Sequence, residues 1–186
     1  MPMKKLAALL VLVVVIAGCK RGETPAGSAS RGGAAKTATA ATTTGIEVGS
    51  TMPDYSAMNL DGTKFDLAGR RGKVVLLNVW ATWCGPCVFE IPELQRIHDA
   101  YAARGFEVVG VSGDESGVES VKQFMDEKKM RYPVALDPQG QLANLLQTTV
   151  LPTSVLVDRS GKIIWKKYGA IFENDQELDE AIKKAL

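Results

Sequence analysis

A nearly continuous apolar run at residues 74–80 leads directly into Ala81-Thr82-Trp83-Cys84-Gly85-Pro86-Cys87, and from there into a helical pattern. A strand that is apolar on both faces belongs inside a parallel sheet, with helices covering either side. The junction places Cys84 and Cys87 three residues apart on a first helical turn. A disulfide needs a Cα separation of roughly 4.4 to 6.8 Å, which this spacing supplies. The two cysteines therefore read as a redox pair that opens and closes with little backbone movement.

The rest of the chain builds outward from this unit. Residues 56–60, Asp61-Gly62 and 63–65 predict a hairpin with a tight primed turn, because Asp-Gly tolerates the positive φ angles such a turn requires. The helix after Cys84 aligns Cys87, Ile91, Leu94, Ile97 and Tyr101 on one face, while Pro92 removes a backbone donor and predicts a kink. Residues 107–111 predict a second strand. Ser116 and Glu119 give a capping-box signal for a helix with Val118, Val121 and Met125 inward. Residues 132–136 predict a short strand and 139–147 a short helix. A second hairpin runs from 153–157 through Asp158-Arg159-Ser160-Gly161 to 162–168, and Asn174 with Glu177 predicts the start of a last helix with Leu178, Ile182 and Ala185 inward. The expected class is α/β, a central mixed sheet flanked by helices on both faces.

The chemistry of the pair depends on which cysteine ionises, since the thiolate is the nucleophile. Cys84 stands at the helix N-terminus, where unpaired N–H groups and the helix dipole favour negative charge, so Cys84 is the expected nucleophile. Cys87, one turn further in, is the expected resolving thiol. Pro86 withholds one N–H from the helix start. A less stabilised thiolate makes the dithiol a better reductant, so Gly85-Pro86 leans toward reduction. A purely structural disulfide closing so small a loop gains little. A zinc site needs four ligands, and only Cys19 and His98 remain. No metal and no cofactor are expected. Basic and acidic residues number 22 and 21, which argues against nucleic acid as a partner.

Trp80 through Cys87, with Glu90 and Pro92 completing a Cys-x-x-Cys-x-x-Glu-x-Pro pattern, resembles the thioredoxin superfamily across residues 46–186. The hairpin before the active strand and an inserted strand and helix between 105 and 135 resemble its TlpA and ResA branch. The resemblance implies a thioredoxin-like fold and a membrane-tethered, extracytoplasmic reductase of protein disulfides, serving cytochrome c maturation or copper-site assembly. It also implies a membrane electron donor. By the same resemblance Pro152 is a cis residue presenting backbone to substrate, and Trp83, Gly85, Pro86 and Leu151 line the substrate groove. Asn78 stands where thioredoxin has a buried aspartate, and an amide cannot accept that proton; Glu90 is the replacement the branch implies. One of Trp80 and Trp83 is expected beneath the site and the other on its surface. Two other classes are weighed: a thiol peroxidase, which the paired cysteines argue against, and a copper-binding module, for which His98 lies on the wrong element. A monomer is expected.

The N-terminus accounts for the third cysteine. Lys4 and Lys5 precede an apolar run at 6–16 and then Ala17-Gly18-Cys19, the layout of a signal peptide. The run falls short of the roughly 20 residues that span a bilayer. Ile16-Ala17-Gly18-Cys19 resembles a bacterial lipobox, which implies cleavage after residue 18 and lipid on Cys19. Residues 19–45 then form a lipidated, flexible tether, since residues 20–45 are nearly all Gly, Ala, Ser and Thr with a few charges. The expected organisation is 1–18 signal peptide, 19–45 tether and 46–186 thioredoxin-like domain. Lys20 after the cysteine leans toward an outer membrane.

Overall fold

The computed structural model describes residues 43–186; the expected signal peptide, Cys19 and nearly all of the expected tether lie outside them. Seven strands form one mixed sheet in the order β2-β1-β5-β4-β3-β6-β7. Strand β3 (Val74–Trp80) is buried along its whole length. It pairs in parallel with β4 (Phe106–Ser112) and antiparallel with β6 (Thr153–Val157). Outside these lie β5 (Val134–Leu136) and the hairpin β1 (Ser56–Asn59) and β2 (Lys64–Asp66) on one side, and β7 (Ile163–Tyr168) on the other.

The two-residue period of β3 divides the core. Val74, Leu76 and Trp80 face helices α1 (Gly85–Tyr101), α2 (Val118–Lys128) and α4 (Gln176–Ala185). Val75, Leu77 and Val79 face α3 (Gln141–Leu145) and the N-terminal residues Met52, Tyr55, Phe65 and Leu67. Each fully buried Val or Leu contributes about 1.5 to 3 kcal/mol, so this strand anchors both layers. Asn78 has the parity of Leu76 and Trp80, and that places its amide under α1. No helix among the described residues is long and apolar enough to cross a membrane.

Several local expectations change. The β1–β2 turn is not a two-residue primed turn: Gly62 N–H donates to Asn59 O, Asn59 N–H donates to Thr63 O, and Gly62 has φ +83°. This is a three-residue loop ending in a left-handed glycine, held by Asp61, whose carboxylate accepts from Thr63 N and Oγ1. Ser116 does not cap α2, which starts after Gly117 with no side-chain cap. Asp175, not Asn174, caps α4 and accepts from Leu178 N at 3.1 Å; Asn174 is left-handed, φ +59°. A competing cap one residue away is invisible to the pattern, because either residue type satisfies it. Strand β5 starts at Val134, after Pro133, and α1 continues through Pro92 to Tyr101. Residues 43–45, read as the end of the tether, bond with Thr51 through Thr43 O and Gly45 N.

Candidate active site

Helix α1 begins where β3 leaves the sheet, and Cys84 is its N-cap. Cys84 and Cys87 are disulfide-bonded with a Cα–Cα distance of 5.2 Å. Cys84 is the more accessible, 6% exposed against 1% for Cys87. The Cys84 sulfur accepts a hydrogen bond from Cys87 N at 3.3 Å. The residue between that donor and Gly85 is Pro86, which has no N–H to add.

Glu90 lies one turn after Cys87 on the same face, 1% exposed. Its Oε1 accepts from Asn78 Nδ2 at 2.7 Å and its Oε2 from Ile171 N at 2.8 Å. Asn78 Nδ2 also donates to Ser154 Oγ at 2.9 Å, so the amide holds the carboxyl against the sheet. Burial pushes Glu90 up to about 7, partly offset by the bonds from Ile171 and Asn78 and by the positive charge of Lys167. A carboxyl that exchanges its proton near neutrality is matched to a thiol's proton traffic. Nearby on β7, Lys166 donates to Ile46 O at 3.3 Å, and Lys167 pairs with Asp175.

The Leu151–Pro152 bond is cis. The Pro152 carbonyl accepts from Gly169 N at 2.8 Å. Neither Leu151 N nor Leu151 O has a hydrogen-bond partner among the described residues. Leu151 thus offers both backbone groups at the edge of the cleft. Leu151 and Trp83 line a cleft of ≈ 210 Å³ with Thr148, Ala143 and Asp137. Gly85 and Pro86 are exposed but do not line it. Trp83 is 73% exposed, whereas Trp80 is buried and stacks on Phe124 with ring centroids 5.6 Å apart. His98 accepts from Val108 N at 3.3 Å and ties α1 to β4, away from the pair in sequence.

Sequence reasoning missed Asp114. Its buried carboxylate accepts from Thr82 N at 3.0 Å, Thr82 Oγ1 at 2.6 Å and Ser112 Oγ at 2.6 Å, pinning the loop between β3 and Cys84. The available signal was its place just past the end of the strand beside β3, where sites of parallel sheets gather. Asp137 was missed as well; it accepts from Gln141 N, Leu142 N and the Tyr55 hydroxyl.

A family model described as Redoxin matches residues 47–182. The chain belongs to the Redoxin family. Curated relatives named thiol-disulfide oxidoreductase ResA include one from Bacillus thuringiensis subsp. konkukian, 34% identical over 139 residues, or 75% of this chain and 79% of that protein. Another, from Bacillus subtilis, is 32% identical and covers 69% of this chain and 72% of its own length. Among solved structures, a putative thiol:disulfide interchange protein DsbE from Chlorobium tepidum has a TM-score of 0.69 at 32% identity, covering 75% of this chain and 98% of the other. A putative protein disulfide isomerase from Bacteroides thetaiotaomicron has a TM-score of 0.69 at 30% identity, with 76% and 91% covered. This Redoxin is thus a TlpA/ResA-like member of the thioredoxin superfamily and a thiol-disulfide oxidoreductase.

Proposed function

We propose that the protein reduces disulfides of polypeptides outside the cytoplasm, with Cys84 as nucleophile, Cys87 as resolving thiol and Glu90 as the proton carrier. The Cys84 thiolate attacks one sulfur of a substrate disulfide, giving a mixed disulfide and a substrate thiolate that takes up a proton. Glu90, as carboxylate, removes the Cys87 proton. The Cys87 thiolate then attacks Cys84 Sγ, the second substrate sulfur leaves as a thiolate and takes up the proton that Glu90 carries, and two electrons have passed from the dithiol to the substrate as the Cys84–Cys87 disulfide forms. A dithiol of a membrane electron donor restores the reduced pair. The free N–H and C=O of Leu151 hold the substrate segment while Trp83 walls the cleft beside it.

The observation that carries the reductive direction is the single N–H, from Cys87, on the Cys84 sulfur. A thiolate with few donors is poorly stabilised, which favours its oxidation. The potential against glutathione tests this. A value between about −200 and −270 mV supports reduction, and one near about −120 mV assigns an oxidant. Expression of Cys87→Ala in the native host traps substrates on Cys84, and recovery of apocytochromes or copper-site proteins identifies the pathway served.

Anchoring through lipid on Cys19, with residues 19–45 as tether, is supported by the lipobox-like Ile16-Ala17-Gly18-Cys19. Two or more acyl chains give stable membrane attachment where one does not. Intact-mass analysis of the membrane fraction should find Cys19 acylated and residues 1–18 absent; an unmodified Cys19 overturns the anchor.

A further inference from the structure

We propose that Asp114 is a positioning residue that sets the redox poise of the pair, by holding an unneutralised negative charge behind the Cys84 loop. The inference rests on the reductase reading and extends it from the helix start to the loop before it. The carboxylate takes all its hydrogen bonds from Thr82 N, Thr82 Oγ1 and Ser112 Oγ. Both of its oxygens accept and neither donates. None of the ion pairs among the described residues includes it. Among the described residues its hydrogen-bond partners are all neutral groups.

One residue, Trp83, separates Thr82 from Cys84, so the carboxylate bonded to Thr82 stands on the order of 10 Å from the sulfur. At an effective dielectric of about 20, a unit charge at that distance changes an ionisation equilibrium about tenfold. The other charged groups near the pair do not cancel it. Glu90 on α1 and Asp137 before α3 are acids, and Lys167 on β7 is paired with Asp175. Asp114 therefore disfavours the Cys84 thiolate, destabilises the reduced pair and drives electrons outward. Through Thr82 the same group fixes the loop that presents Cys84 as the N-cap of α1.

Charge and geometry separate by substitution. Asp114→Asn removes the charge while retaining the bond to Thr82 N, since both hydroxyls can reverse and accept. Thr82→Val removes one hydrogen bond and leaves the charge. Asp114→Asn should lower the Cys84 thiol pKa by about one unit and raise the equilibrium constant for reduction by glutathione about tenfold, or about 30 mV. Thr82→Val, which like Ser112→Ala strips a hydroxyl dipole from the carboxylate, should move neither quantity in the Asp114→Asn direction while slowing attack on a model disulfide. Ser112→Ala strips a dipole from the carboxylate and should move both quantities the opposite way. It keeps the test open if Asp114→Asn does not fold. Unchanged values in Asp114→Asn, equal shifts in Asp114→Asn and Thr82→Val, or a Ser112→Ala shift in the Asp114→Asn direction each overturn the proposal. The reductase reading is tested by the absolute wild-type potential, whereas this proposal is tested by differences between variants, so either can fail alone.

Discussion

Glu90 is the residue whose environment departs furthest from what its type predicts. Its protonation midpoint is raised from 4.5 to about 7 in the folded chain, chiefly by burial. Between those values the native state holds a proton that the unfolded chain has lost. Glu90's contribution to stability is therefore complete below about pH 4.5 and lost as pH rises through about 7. Glu90→Gln should flatten this dependence, at a roughly pH-independent cost of about 1 to 3 kcal/mol because one amide oxygen cannot accept from both Asn78 Nδ2 and Ile171 N. Denaturant titrations at pH 5 and pH 8 measure it. Resolution of the mixed disulfide by Cys87 should slow about 10²-fold in the same variant and lose its rise near pH 7, as removal of a general base requires. Stopped-flow resolution rates that keep that rise would exclude Glu90 as the base. Glu90 was visible in the sequence as an acid one turn after Cys87. Its hydrogen bonds to Asn78 and Ile171 were not, being 12 and 81 residues distant.

At the scale of elements, β3 and β4 fit together because one position lacks a side chain. Gly110 pairs with Asn78, and a Cβ there would lie 2.8 Å from Trp80 Nε1 and 3.3 Å from Tyr132 Cε2. Gly110→Ala must push the indole off β4 and, with it, the start of the active-site loop. The expected cost is about 1 to 3 kcal/mol, the usual penalty for overpacking, seen as a lower Tm together with a changed tryptophan environment in near-UV dichroism. A Tm equal to wild type would show that the indole has room to move. Element identities were legible because burial leaves a period in the sequence: every second residue of a strand, every third or fourth of a helix. Element ends were less so. Gly117 and Asp175 displaced the expected caps by a single residue each, since caps are chosen by how the chain enters the helix and not by residue type alone.

For the molecule as a whole, redox state and folding are linked. A pair that is reducing in the native state is one whose disulfide the fold stabilises relative to the dithiol, the reverse of an oxidant whose reduced form is favoured. The oxidised protein should therefore melt at a higher temperature than the reduced protein in matched thermal scans; the opposite order would assign an oxidant. The sequence by itself determined the mixed α/β architecture, the buried β3, the helix start at Cys84 and the redox pair, because all of these follow from local periodicity and from chain spacings of a few residues. The tertiary structure decided which groups surround the pair. Asp114 reaches Thr82 across 32 residues, Ile171 reaches Glu90 across 81, and Gly169 bonds the Pro152 carbonyl while the Leu151 backbone has no partner among the described residues. Such contacts depend on strand order and on which loops meet at one end of the sheet, and no pattern along the chain records either.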